Sequence, residues 1–197
     1  MNEMVKMVVV ITLLSGLSGG LLAGVRIGTK DKIEDNELSF IKGPAVKEVL
    51  KGCSNDPISD RFKLKVGEKE QFFFVGKVNG KPKTVAFESS GKGFGGDLGL
   101  IVGFDISENK IVGIGVTTHK ETPGLGSKAK DDPKFSSQFK AKAIDKQFKV
   151  KPDGGEIDAI SGATVTSKGV CLAVNEAVKS YQNLKTDIEK KLAEFNK

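Results

Sequence analysis

The chain has 197 residues, of which 38% are hydrophobic and 28% charged, a composition typical of one ordinary folded domain with appendages. Its net charge of +6 comes from scattered lysines, which are densest between Lys128 and Lys151. Because aromatic residues hardly interrupt this run, the lysines predict a solvated face or a dock for an acidic partner, and no nucleic-acid binding. Cys53 and Cys171 have no metal-ligand spacing, which excludes a zinc or iron–sulfur site built from this chain alone.

The first element is an uncharged segment, Val8–Val25, flanked by Lys6 and Arg26. It is about as long as the shortest membrane-spanning helices, and the flanking cations could reach lipid headgroups. A cleaved signal peptide is the alternative, but "LLAGVRIG" offers only a poor cleavage site. We therefore predict a transmembrane anchor over residues 1–28, followed by a polar connector over residues 29–42.

Small residues recur at every fourth position of this segment in two adjacent rows: Gly16, Gly20, Gly24 and Ser15, Gly19, Ala23. Although glycine is common in membrane spans, this spacing lets a second transmembrane helix approach closely. The pattern predicts a subunit of a membrane complex. Positive charges on both flanks leave the orientation open.

Residues 43–197 are predicted to form one α+β domain, a twisted antiparallel sheet with flanking helices. "GPAVKEVLKG" is typical of a short helix. Two hairpins follow, one turning at Asn79-Gly80 and one near residues 107–110, and the glycine-rich segment "SSGKGFGGDLG" between them predicts a loop.

Three helices are predicted in the second half of the domain. A short helix is expected around "DPKFSSQFKAKA", and a longer one begins near Thr166 with an apolar face, followed by a last amphipathic helix in "LKTDIEKKLAEFNK". Apolar residues at helical spacing mark that face: Val170, Val174, Val178 and Tyr181.

Four small residues, Ser161-Gly162-Ala163-Thr164, stand directly before this helix. A hydroxyl at a helix start can cap the helix, and the unpaired N–H groups there also favour a bound phosphate. The residues alone leave both interpretations open. A serine hydrolase built from Ser161, His119 and Asp158 is disfavoured, because Ala159 stands where the nucleophile elbow needs glycine.

Three motifs occur in order behind the apolar segment: "GKGFGGDLGLIVGFD", "HKETPGLGSKA" and "DAISGAT". Together they resemble the covalent-FMN domain family, which includes the G subunit of the Rnf complex and the C subunit of the sodium-pumping NADH:quinone oxidoreductase. The short chain is closer to the Rnf type.

This resemblance implies the site and its cofactor. A flavin transferase would recognise Asp158 and link the FMN phosphate to Thr164 by a phosphoester, within the attachment segment that includes Ser161, Gly162 and Ala163. The second motif would lie beside the flavin, with the cofactor-binding residues His119, Glu121, Thr122, Leu125 and Gly126.

The resemblance also implies the function. The chain would relay electrons in an ion-translocating ferredoxin:NAD oxidoreductase complex, with other subunits as partners and the domain outside the cytoplasmic membrane. Two alternatives stay open. One is a stand-alone membrane-anchored flavoprotein, a sensor or a reductase. The other is a binding module without flavin, in which Thr164 only caps its helix.

Overall fold

The computed structural model describes residues 2–67 and 69–195, which form two compact units that divide after Phe40. The first unit consists of helix α1, Glu3–Asn36, and the beginning of a π-helical turn, Glu37–Lys42. By length and composition, the part of α1 from Glu3 to Lys30 could cross a membrane. Its leucines are exposed on every side, as expected for a helix whose apolar surface meets lipid.

Helix α1 runs on through most of the predicted connector, which is therefore helical. The sequence from Thr29 to Asn36 contains neither glycine nor proline, so nothing in it ends the helix. The predicted domain limits at residues 28 and 42 stay a prediction.

The second unit contains one open antiparallel sheet in the order β1-β2-β3-β4-β5, which confirms the predicted α+β fold. The strands are β1 (Arg61–Val66), β2 (Lys69–Val78), β3 (Lys81–Lys92), β4 (Asp97–Asp105) and β5 (Lys110–Thr118). The helices are α2 (Gly43–Val49), α3 (Lys128–Asp131), α4 (Pro133–Ser137) and α5 (Thr164–Glu194), with a 3-10 turn at Lys151–Asp153.

Both predicted hairpins are confirmed. Asn79 and Gly80 have φ angles of 53° and 77°, as a two-residue hairpin turn with the strand twist requires. The second hairpin joins β4 to β5, with Asn109 at a φ of 50° in its turn.

The second unit differs from the prediction at strand β1, at the glycine-rich segment and at the C-terminal helices. Strand β1 was not predicted, because its lysines alternate with only a few apolar residues on an edge of the sheet. The glycine-rich segment is not a long loop: β3 and β4 extend into it and leave a tight turn closed by Gly93 N–H donating to Gly96 O at 2.8 Å. The two predicted C-terminal helices are one helix, α5.

The sheet lies between α5 on one face and α2 on the other. Against α5, a row of aromatic rings crosses the sheet from Phe73 through Phe87 to Phe104 and ends at Tyr181 of α5, with neighbouring centroids 4.5–5.4 Å apart. On the opposite face, glycines of β4 and β5 let α2 approach, and a Cβ at Gly103 would lie 2.6 Å from a methyl group of Val49. Strand β4, in the region between the two helices, is therefore buried on both faces.

Helix α5 contacts the end of β3 backbone to backbone. A Cβ at Gly91 would collide with the carbonyl oxygen of Gly169. A Cβ at Gly169 would lie 2.6 Å from the carbonyl oxygen of Lys92. Only glycine at both positions allows this approach. The contact brings the first turns of α5 beside the turn at Gly93–Gly96.

We expect Gly91→Ala to lower the free energy of unfolding by about 1–3 kcal/mol, because the added methyl group must push α5 away from β3. Chemical denaturation of the full chain in detergent measures this. Ser90→Ala, at the exposed neighbouring residue, is the control. Equal stability of the two variants would contradict the close contact.

Candidate functional site

The segment that leads into α5 is held by neighbouring elements. Ile157 pairs with Val150 in an isolated parallel bridge. The amide of Gln138 then binds the backbone of Asp158 at both ends, accepting from its N–H at 2.7 Å and donating to its carbonyl oxygen at 3.2 Å. The carboxylate of Asp158 is exposed and forms an ion pair with Lys151 at 2.6 Å. The proposed recognition residue thus lies on the surface.

Thr164 is exposed and is the first helical residue of α5, one position after the N-cap, and its hydroxyl makes no hydrogen bond to the described residues that would cap the helix. The N-cap is Ala163, which has no side-chain hydrogen bond to offer. Ser167 ties the segment instead: its hydroxyl accepts from Ile160 N–H at 2.9 Å and donates to Ala163 O at 3.0 Å. The interpretation of Thr164 as a mere cap is therefore wrong.

The glutamate of the second motif, Glu121, is buried and connects this motif to the first motif and to the first turn of α5, directly after the third motif. One carboxylate oxygen accepts from Thr166 Oγ1 of α5 at 2.6 Å, and the other accepts from Gly95 N–H of the β3–β4 turn at 3.0 Å. Sequence reasoning placed Glu121 among the flavin-lining residues; the structure places it beneath the surface, facing Thr166 and Gly95.

The loop that carries Glu121 turns back on itself at Pro123-Gly124. Thr122 O accepts from the N–H groups of Leu125 and Ser127, each at 3.2 Å, and Gly124 has a φ of 74°. Thr122 and Leu125 are exposed, whereas Gly126 is buried.

Two of the predicted segments meet at Leu125. The φ of Gly162 is 78°, which favours glycine, and a Cβ there would lie 3.1 Å from Leu125 Cδ2, a tight contact. His119 is half-buried, and its Nδ1 accepts from Glu121 N–H at 3.3 Å. Since Asp158 binds Lys151 and His119 faces its own loop, the hydrolase arrangement gains no support.

Three exposed apolar side chains adjoin the residues around the Glu121 carboxylate, and the sequence analysis missed two of them. Phe94, Leu125 and Val165 are 76%, 46% and 50% exposed. The residues that directly follow them in sequence, Gly95, Gly126 and Thr166, all lie next to the Glu121 carboxylate. A phenylalanine between glycines in "GKGFGG" was the available signal, because such a turn offers no core in which to bury the ring. An exposed apolar cluster is typical of a binding surface.

The electrostatics of the site favour an anion at Thr164. The first N–H groups of α5 have no partner within the helix, and the helix dipole is positive at this end. No group of three or more potential metal ligands occurs among residues 2–67 and 69–195. Burial raises the pKa of the Cys171 thiol to about 12, helped by the Asp153 carboxylate, so this cysteine is inert near neutral pH.

Comparison with known proteins identifies the family. Residues 93–179, which contain most of the first motif and all of the other two, match the FMN-binding domain family. The G subunit of the ion-translocating oxidoreductase complex of Vibrio atlanticus is 30% identical over 91% of this chain and 90% of that protein. The chain belongs to the family of G subunits of ion-translocating oxidoreductase complexes.

Two further relatives agree with this assignment. The G subunit of the proton-translocating ferredoxin:NAD(+) oxidoreductase complex of Clostridium ljungdahlii is 34% identical over 71% of this chain and 78% of that protein. The crystal structure of the C subunit of the Na(+)-translocating NADH-quinone reductase of Parabacteroides distasonis superposes with a TM-score of 0.60. The two sequences are 25% identical, and the superposition covers 77% of this chain and 94% of the C subunit. The resemblance predicted from the three motifs is confirmed.

We expect Leu125→Ala, Thr122→Ala and Phe94→Ala to change the environment of the bound FMN without releasing it. Loss of an aromatic or apolar contact worth about 0.5–1.5 kcal/mol in one oxidation state corresponds to a midpoint shift of roughly 10–30 mV. Visible absorption and redox titration of the full chain measure it.

The matched control is Leu172→Ala, a leucine of α5 that is 54% exposed and two turns further along the helix. A spectrum and potential unchanged in all three variants would place the flavin elsewhere.

Proposed function

We propose that this chain is the electron-relay subunit of an Rnf-type ferredoxin:NAD oxidoreductase complex, with FMN bound to Thr164 through a phosphoester. One observation carries the proposal: Thr164 is exposed at the first turn of α5, is not the N-cap, and lies two residues after Gly162, where a Cβ would come within 3.1 Å of Leu125 of the second motif. Membership in the G-subunit family and the match to an FMN-binding domain support it.

The residues present fit this cofactor. The N-terminal end of α5 suits a phosphate, and the side chains of Leu125, Phe94 and Val165 give a flat ring an apolar surface. When bound, FMN supplies the redox chemistry, and the protein supplies orientation and electrostatics. Thr164 would hold the phosphate, while Thr122 and Leu125 would orient the ring.

The proposed maturation requires a flavin transferase that acts on an accessible segment. Ser161, Gly162 and Thr164 are exposed, whereas Ala163 is buried. Asp158 is exposed at the start of the same segment. Its exposure agrees with a recognition role, which we propose for it.

The proposed partners are other subunits of the complex, reached through α1 and through the FMN-binding domain. The names of the relatives support this assignment, since each is a subunit of a larger complex. The relative from Clostridium ljungdahlii supports ferredoxin and NAD as the terminal redox pair. We place the FMN-binding domain on the extracytoplasmic side of a membrane that α1 spans.

The decisive experiment replaces the proposed acceptor. Thr164→Val keeps the shape of the side chain and removes its oxygen, and the exposed position predicts a stability change within about 0.5 kcal/mol. We expect it to abolish covalent FMN completely in a chain coexpressed with a flavin transferase. In-gel flavin fluorescence and intact mass measure the adduct.

Neighbouring variants serve as controls. Ser161→Ala should retain covalent FMN because it leaves the acceptor intact, and Thr164→Ser tests whether the transferase needs the methyl group. Asp158→Ala should lower the yield through weaker recognition. A full FMN adduct on Thr164→Val would contradict the assignment of Thr164 as the acceptor.

The membrane anchor gives an independent prediction. No atom lies within 4 Å of a Cβ built at Gly16, Gly20 or Gly24, so this face of α1 is open for a partner helix. We expect Gly20→Leu to release the chain from its complex while covalent FMN is retained. Copurification with multi-span subunits measures the release.

Ser18→Leu adds the same side chain on another side of α1 and should leave assembly intact. A stand-alone flavoprotein would show no copurifying subunits with either variant or with the unaltered chain.

A further inference from the structure

The buried glutamate of the second motif has a role that goes beyond the proposed attachment. We propose that Glu121 is the positioning residue of the flavin site. Its carboxylate fixes the second motif relative to the first motif and to the first turn of α5, and so determines the environment of the flavin, without acting in the attachment at Thr164. This inference rests on the proposed function.

The first support is the cost of burying a carboxylate. Glu121 is only 7% exposed, and a buried carboxylate is tolerated only when hydrogen bonds replace the water it loses. Each of its oxygens has one such partner, Thr166 Oγ1 at 2.6 Å and Gly95 N–H at 3.0 Å. The partners belong to different segments, so satisfying the carboxylate brings those segments together.

The second support is the shape of the space around the carboxylate. A Cβ at Gly93 would collide with one of its oxygens, and a Cβ at Gly126 would crowd the other together with Thr166 Oγ1. Two glycines on opposite segments thus leave room for this group and little else. The carboxylate has one place to lie, and moving it would break both hydrogen bonds.

The third support is the position of the exposed residues. Phe94, Leu125 and Val165 are each one residue away from a position that contacts the carboxylate. Fixing the contacts of Glu121 therefore fixes where these three side chains lie on the surface. Thr164 has no hydrogen bond to Glu121 among the described residues, so the acceptor hydroxyl does not depend on it.

Hydrogen bonding, and not an ion pair, is the means of this positioning. None of the ion pairs between described residues involves Glu121. Glutamine in its place can still accept from Gly95 N–H through its carbonyl oxygen and donate to Thr166 Oγ1 through its amide. A positioning role therefore predicts rescue by glutamine.

The test uses four variants of the full chain, each coexpressed with a flavin transferase: Thr166→Val, Thr166→Ser, Glu121→Gln and Glu121→Ala. Intact mass gives the FMN content. Visible circular dichroism of the flavin, which depends on a fixed asymmetric environment, and the midpoint potential give the positioning.

We expect Thr166→Val and Glu121→Ala to carry full FMN while their visible circular dichroism falls at least twofold toward that of free FMN. Thr166→Ser and Glu121→Gln should keep the signal and the potential of the unaltered chain. A change in circular dichroism without loss of FMN is an outcome that general destabilisation would not give.

Two results would overturn the proposal. One is an unchanged flavin signal and potential in Thr166→Val, which also decides the matter if Glu121→Ala does not fold. The other is a change in Glu121→Gln as large as that in Glu121→Ala, which would assign the effect to charge. An unaltered chain without an FMN adduct would instead refute the proposed function.

Discussion

The contact between Gly91 of β3 and Gly169 of α5 is the constraint on which the site depends. Because neither residue has a side chain, the helix backbone lies directly on the end of the strand. The first turn of α5 then reaches the glycine turn at residues 93–96, close enough for Glu121 to bind both. A larger residue at either position would separate the elements that carry the first and third motifs. The first motif and the first turn of α5, which are far apart in sequence, lie close together for this reason.

Much of the fold could be predicted from local signals. The Asn79-Gly80 turn has a specific backbone requirement, and the apolar face of α5 has a clear helical period, so both predictions held. Strand β1 has no such signal, because its edge position lets Lys63 and Lys65 stay exposed. The continuity of α5 was missed because its polar stretch around residues 182–187 interrupts the apolar period without glycine or proline to end the helix.

The residues of the site could be predicted from the sequence, but which of them are exposed and which are buried could not. The motifs gave the residues, yet sequence alone could not separate the exposed members, Thr122 and Leu125, from the buried Glu121. Alternation of exposed and buried residues in a loop follows no period, so burial there depends on contacts with distant segments. The same holds for Thr164. Its position before a helix suggested a cap. The segment before α5 is instead held by Ser167, a residue within the helix, whose hydroxyl forms hydrogen bonds with its backbone.

The surface position of Thr164 bears on why a covalent bond would be needed at all. Two cavities in the described part of the second unit, of about 350 and 570 Å³, are lined by other residues, so neither encloses Thr164, Leu125 or Phe94. Ligands that are held without a bond usually lose most of their surface to a concave pocket. An open apolar cluster covers only one side of a ring, so its affinity would be low. The phosphoester proposed at Thr164 would remove the need for affinity and leave the ring edge accessible. An electron relay between subunits requires an accessible edge, and the proposed bond would keep the flavin in place.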